Sequence, residues 1–259
     1  LDYLIKVKEL PFTEAVERIV GRAAERPSVF HARAQPEKPK TLLLPPKSNS
    51  NTRVIAYLKS RSIDGGLIEQ CIRSGQLYES LPHHNAVFVG MDRNGTLRYA
   101  CLRGIGTDFK GEATGSDKRF SFALPATGES RMLCVFESAI DLLSYATMAQ
   151  AGGLSWRSQH LLSLAGVYKP QKETQEHRLP LALTQYLKDH AEIKTICLCL
   201  DNDMTGRSAT EAIRQQLAER YKVASAFPRQ GKDYNDWLCI RMGLQPAKEN
   251  PMTERSFAR

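Results

Sequence analysis

No stretch of this sequence approaches the roughly 18 consecutive apolar residues that a membrane-spanning helix needs, which argues against a membrane protein. The opening, LDYLIKVKEL, lacks a basic leader, a long apolar core and a small-residue cleavage site, so it does not read as a secretory signal. It begins with Leu1 rather than Met, and the chain reads as truncated at its start. Cysteine is scarce and scattered: Cys71, Cys101, Cys134, Cys197, Cys199 and Cys239 include no CxxC pair, and three of them sit inside apolar runs. That usage predicts reduced, mostly buried thiols in a cytoplasmic protein, with neither a disulfide framework nor a zinc-ligand pattern. An internal repeat and a GxxxxGK[ST] phosphate loop are also lacking.

What is present fits a soluble globular chain, with 42% hydrophobic and 25% charged residues. Its 259 residues exceed the about 100–200 of a single domain, which predicts two packed units. A net charge of +8 favours polyanions such as nucleic acid, although a basic balance is as often a solvated face. Residues 1–21 contain an amphipathic helix from Thr13, with Ala15, Val16, Ile19 and Val20 as its apolar stripe. Residues 22–52, rich in Pro, Ser, Lys and Arg, read as a linker.

Residues 53–130 read as a smaller mixed α+β domain. RVIAYLKSR and GGLIEQCIRSG predict helices, and two apolar runs flanking Arg93-Asn94-Gly95 predict a hairpin. FKGEATGSDKRFSFAL closes that unit with one more strand. Across 131–245 the strand-like runs MLCVFES, HLLSLAG, TICLCLD and YKVASAFP alternate with the helical segments AIDLLSYATMAQ, PLALTQYLKDH and GRSATEAIRQQLAER. Continuous apolar runs between helices predict an α/β domain built on a parallel four-stranded sheet covered on both faces, followed by a tail from 246 to 259.

In such sheets polar residues at the carboxyl ends of strands line the ligand crevice, and here that position is acidic. Glu137 follows LCVF, and Asp201 with Asp203 follow ICLCL. Residues two apart on an extended segment share a side, so the two aspartates present their carboxylates together; alone, a DxD is equally a turn or a helix cap. Asp141, four residues beyond Glu137, and GKDYND (Gly231 to Asp236) add acids at equivalent strand ends. Clustered carboxylates repel one another unless a cation joins them, and an all-oxygen donor set suits Mg²⁺ or Mn²⁺ rather than Zn²⁺.

FESAIDLLS, LDNDMTGR and GKDYNDWL together resemble the three motifs of the toprim domain, shared by bacterial primases, topoisomerases of types IA and II and some nucleases. The resemblance spans residues 131–245 in the family's order. It implies a general acid or base at Glu137, metal ligation by Asp201 and Asp203 with Glu137 and Asp233 contributing, and substrate contacts at Asp141 and Lys232. Residues 53–130 resemble the domain of unknown function DUF3991, which precedes toprim in primase-like proteins of bacterial mobile elements. By that likeness Arg103, Lys118 and Arg119 face nucleic-acid or nucleotide phosphates; otherwise they are exposed basic residues beside a hairpin. The first residues resemble the tail of a CHC2-type zinc-binding domain, implying that Zn²⁺ belongs only to a lost amino-terminal domain.

The function so implied is metal-dependent, DNA-primase-like synthesis of oligonucleotides on single-stranded DNA, for replication or transfer of a mobile element. The implied partners are single-stranded DNA, nucleotides and a replicative helicase or relaxase. Tyr78, Phe88, Tyr99 and Phe120 are core aromatics or base-stacking platforms. Cys197-Leu198-Cys199 reads as core strand, and His83-His84 as exposed loop. The alternatives are a toprim nuclease and a non-catalytic DNA-binding accessory of a relaxase or helicase system; a topoisomerase needs a tyrosine-bearing gate for which the chain has no room.

Overall fold

A computed structural model describes residues 41–166 and 179–245, which belong to one compact unit. The expected Thr13 helix and most of the linker lie outside the described residues. Two helices come first, α1 (Thr52–Ser60) and α2 (Gly65–Arg73). Asp64 caps α2 by accepting from Leu67 N at 2.9 Å, and the helices bury Val54 and Leu58, and Leu67, Ile68 and Cys71, at helical spacing.

An antiparallel sheet follows in the order β1 (Leu77–Glu79), β2 (Ala86–Met91), β3 (Leu97–Arg103), β4 (Lys110–Glu112). The hairpin expected at Asn94-Gly95 joins β2 to β3: Asp92 Oδ1 accepts from Asn94 N and Thr96 N, and Gly95 has a φ of +77°. A left-handed position of that kind is what selects glycine in a tight hairpin turn. Residues 41–51, the end of the proline-rich stretch, are tied to this sheet by Leu43 N to Thr114 O (2.9 Å) and Ser48 N to Glu79 O (2.8 Å). Leu42 and Leu44 pack on its outer face over Tyr78, Val87, Val89 and Ala100.

The second sheet has five strands, ordered β5 (Ala123–Leu124), β7 (His160–Ser163), β6 (Met132–Phe136), β8 (Thr195–Leu198), β9 (Lys222–Ser225). The four expected strands are present and parallel; β5 joins them antiparallel, against β7. This corrects the reading of FKGEATGSDKRFSFAL as one closing strand. Its first half makes β4 in the antiparallel sheet, and its last residues cross over to become the edge of the other.

Side chains alternate across β6. Leu133 and Val135 join Leu162, Ile196 and Leu198 under α4 (Leu181–Asp189) and α5 (Met204–Leu217). Cys134 and Phe136 turn to the opposite face, under α3 (Ala139–Ala151) and α6 (Tyr234–Arg241). A sheet covered on both faces explains the continuous apolar run. The second of these cores also takes in α1, α2 and the inner face of the antiparallel sheet, through Leu77, Ala86 and Phe88. β9 departs from expectation, since as an edge strand it is mostly exposed.

Candidate functional site

Three loops at the carboxyl ends of the parallel strands bring the acids together. Glu137 directly follows β6, and its Oε1 accepts from the backbone N–H of Asp201, 3.2 Å away beyond β8. Ser138 caps α3: its Oγ accepts from Asp141 N at 3.2 Å and donates to Asp141 Oδ2 at 2.5 Å. Asp203 caps α5 through Oδ1, which accepts from Gly206 N at 2.8 Å, and Asp233 caps α6 through Oδ1, which accepts from Asp236 N at 2.7 Å. The helix-cap reading of the DxD is therefore true of Asp203 and compatible with clustering. One oxygen ends the helix while the other faces Lys232, whose Nζ lies 3.6 Å from Asp203 Oδ2 and 3.9 Å from Asp201 Oδ2.

The loops fit tightly. A Cβ on Gly206 would stand 2.2 Å from Asp201 O and 2.9 Å from Glu137 Oε1, so the first turn of α5 approaches both acids only because this residue is glycine. Asn202 N donates to Lys232 O at 2.7 Å, joining the second acidic loop to the third. Beneath them Phe136, Tyr145 and Tyr234 form an aromatic floor with ring centroids 5.1–5.8 Å apart.

Burial raises the Glu137 pKa to about 7, with the charges of Asp203 and Asp141 adding to it. Asp201 is likewise pushed up to about 7, by burial and then by Glu137 and Asp233. Asp141, 6% exposed, rises to about 7 through burial and the Asp233 charge, and Asp233 is raised chiefly by burial. A divalent cation would remove that cost, and the donors are carboxylate oxygens, so the set fits a hard cation. Among the described residues, the trios of ligand atoms closed to within 4.8 Å are others, Cys134/Cys197/Cys199 and His160/His190/Glu192. The strand-end acids stand wider apart, consistent with mutual repulsion.

A cleft of about 340 Å³ opens between the antiparallel sheet and the loops that follow β6 and β7, with Glu137, Ser138 and Gly166 on one wall and Arg103, Lys110 and Glu112 on the other; the Asp201 and Asp233 loops do not line it. Arg103 thus shares a cleft with Glu137. Lys118 and Arg119 do not line it: Lys118 pairs with Glu112 at 3.1 Å, and Arg119 grips Asp117 with contacts of 2.6–3.0 Å. Lys110 was missed because a single lysine in FKGEA carries no motif, and only the β3–β4 pairing, Arg103 opposite Lys110, brings it to the wall. A wider hollow of about 510 Å³, beside Asp92, Phe120 and Asp189, contains none of the strand-end acids.

Of the aromatics, Tyr78, Phe88 and Tyr99 are core, and Phe120 is half-buried with Arg98 and Arg119 over its ring. Cys199 is buried in the sheet, 3.7 Å from the half-buried Cys197 sulfur. His83 is exposed as expected, whereas His84 turns inward to the buried Glu79, 2.6 Å away.

Comparison with known proteins matches the chain to two families. A model of the Toprim-like family matches residues 134–238, and one of DUF3991, a family of unknown function, matches residues 56–128. A 65 kDa protein of Zymomonas mobilis is 26% identical over 212 residues, covering 77% of this chain and 33% of its own. An uncharacterized Bacillus anthracis protein is 26% identical over 168 residues, 60% of this chain and 44% of its own. The chain therefore spans a third to under half the length of these relatives. The solved DnaG catalytic core superposes with a TM-score of 0.50 at 14% identity, covering 75% of this chain and 70% of that one, a likeness of fold.

Proposed function

On the premise that this chain carries a DUF3991 domain followed by a toprim-like domain, we propose that it performs metal-dependent nucleotidyl transfer on nucleic acid, as primase-like synthesis of oligonucleotides on single-stranded DNA. The observation that carries the reading is the meeting of Asp201 and Asp203 at Lys232 beside Glu137, which faces Arg103 and Lys110 across a cleft.

Asp201 and Asp203 would hold Mg²⁺ or Mn²⁺, with Glu137 and Asp233 completing the set. A divalent cation bound there supplies charge neutralisation at phosphoryl oxygens. Glu137 would accept the proton of the attacking 3′ hydroxyl, whose oxygen bonds the α-phosphorus as pyrophosphate leaves, and pass it to solvent. Lys232, Arg103 and Lys110 present positive charge to the triphosphate and hold it in line with that hydroxyl. Asp141, fixed by Ser138 and by Asn235 N at 3.3 Å, keeps the first loop in register with the third. The template would pass Arg103 and Lys110 on the antiparallel sheet, and a helicase or relaxase is the partner expected to deliver it.

The test is incorporation of labelled nucleotides on single-stranded DNA with Mg²⁺ or Mn²⁺, scoring template cleavage in the same lanes. Wild-type protein is expected to make oligomers, and Asp201→Ala/Asp203→Ala to lose on the order of a hundredfold or more of the rate, the scale of removing a preorganised electrostatic partner. Cleavage without synthesis would make the protein a nuclease instead. Neither activity, with DNA binding intact in both proteins, would leave a binding module.

A further inference from the structure

At the opposite ends of the same strands lies a second polar group. His160 opens β7, His190 ends α4, and Glu192 stands in the turn before β8. The acids follow the other ends of β6 and β8; at about 3.3 Å rise per residue, a strand the length of β6 keeps the two groups on the order of 15 Å apart. Nothing in the sequence announces this group. Thirty positions separate the two histidines, and no ligand motif has that spacing.

We propose that His160, His190 and Glu192 form a second metal site, of zinc type, that fastens the end of α4 to the start of β7. Their ligand atoms all lie within 4.8 Å of one another. His190 Nδ1 is 2.9 Å from Glu192 Oε1, and His160 Nε2 is 3.8 Å from the same oxygen. Tetrahedral zinc with bonds of about 2.0–2.1 Å spaces its ligands about 3.3 Å apart, between those two values.

An independent observation points into the same spot. His160 is 3% exposed, and its Nε2 is buried without a hydrogen bond of good geometry, the Ser130 backbone making only a weak approach to the ring. Its other nitrogen, Nδ1, lies 3.1 Å from the Tyr186 hydroxyl, the kind of contact that fixes a metal-bound imidazole; a longer approach from Ala126 N, at 3.4 Å, is weak. A metal at Nε2 would select the tautomer in which Nδ1 donates to the Tyr186 hydroxyl and the Nε2 lone pair faces Glu192. The His190 ring stacks on Tyr186 at 4.3 Å between centroids, which orients the second imidazole. Two imidazoles and one carboxylate leave a fourth position for water, a zinc set rather than a magnesium set.

The experiment is titration of the metal-stripped protein with Zn²⁺ by calorimetry, and with Co²⁺ by absorption, on wild type, His190→Ala, Glu192→Gln, Asp201→Ala/Asp203→Ala and Cys197→Ser. Because Glu192 is exposed, its amide variant keeps the fold. One equivalent of Zn²⁺ is expected in wild type, in the double aspartate variant and in Cys197→Ser, weakened at least tenfold in His190→Ala and Glu192→Gln. The cobalt spectrum is expected to show d–d bands without thiolate charge transfer. The proposal is overturned if wild type binds no zinc, if Glu192→Gln binds it unchanged, or if the zinc is lost with the aspartates or with Cys197.

Discussion

At the scale of single residues, the close approach at Gly206 and the raised carboxyl pKa values make the sharpest predictions. In a helix, alanine is favoured over glycine by about 0.5–1 kcal/mol. At Gly206 the added methyl would meet the Asp201 carbonyl, rigid backbone that cannot swing aside, and overpacking of that kind costs about 1–3 kcal/mol. The clash wins, so Gly206→Ala is expected to lower stability by about 1–2 kcal/mol in urea unfolding and to reduce any metal-dependent activity. The pKa values of Glu137, Asp141 and Asp201, each raised to about 7, act in one direction. Folding favours their protonated forms, so their contribution is complete below about pH 4 and lost as pH rises to about 7. Metal-free protein in chelator is expected to melt at a lower temperature at pH 8 than at pH 5. Both values lie above the window in which Asp92 and Asp117, held low by Arg98 and Arg119, would lose theirs. Added Mg²⁺ should restore the pH 8 melting temperature, and Asp201→Asn should flatten the slope.

At the scale of elements, Asn235 makes the most hydrogen bonds between the acidic domain and the corner joining α1 to α2, beside a further bond from Asp64 N to Thr147 Oγ1 at 3.1 Å. Asn235, 4% exposed on α6, accepts from Arg61 Nη1 at 2.8 Å and donates to Arg61 O at 3.0 Å and Ser144 Oγ at 2.9 Å. Asn235→Ala would leave buried groups unpaired and is expected to cost about 2–3 kcal/mol, read as a lower urea midpoint. Ser138→Ala, which removes both the α3 cap and the hydroxyl that donates to the buried Asp141 carboxyl, is expected to cost about 1–3 kcal/mol. The parallel strands and the Asn-Gly hairpin were legible in the sequence because each is written locally, as an apolar run or a turn dipeptide. Strand-end acids could be read for the same reason, since Glu137 and Asp201 directly follow the runs that position them. Asn235 was not legible, because its partner Arg61 lies 174 positions away. Nor were Lys110, which reaches the cleft only through pairing of β4 with β3, and the His160 group, assembled from two strand starts.

At the scale of the whole molecule, α1 and α2 share one hydrophobic core with α3 and α6. The unit that begins at Lys40 is therefore expected to unfold in a single transition by circular dichroism and tryptophan fluorescence alike. A fragment starting at residue 131 would lose Leu58, Ile68, Leu77 and Phe88 from the shared core, each contributing about 1.5–3 kcal/mol when buried, and is expected to bind hydrophobic dye and melt without cooperativity. The match to DUF3991 ends at residue 128, yet Ala123 and Leu124 within it are the strand that shields β7. Gene fusions that exchanged the acidic domain at that sequence boundary would deliver it with a bare sheet edge, open to pairing with other chains. Chimaeras joined upstream of Ser121 are expected to stay soluble where those joined at residue 128 aggregate, which would make the folding unit of the acidic domain longer than its matched span.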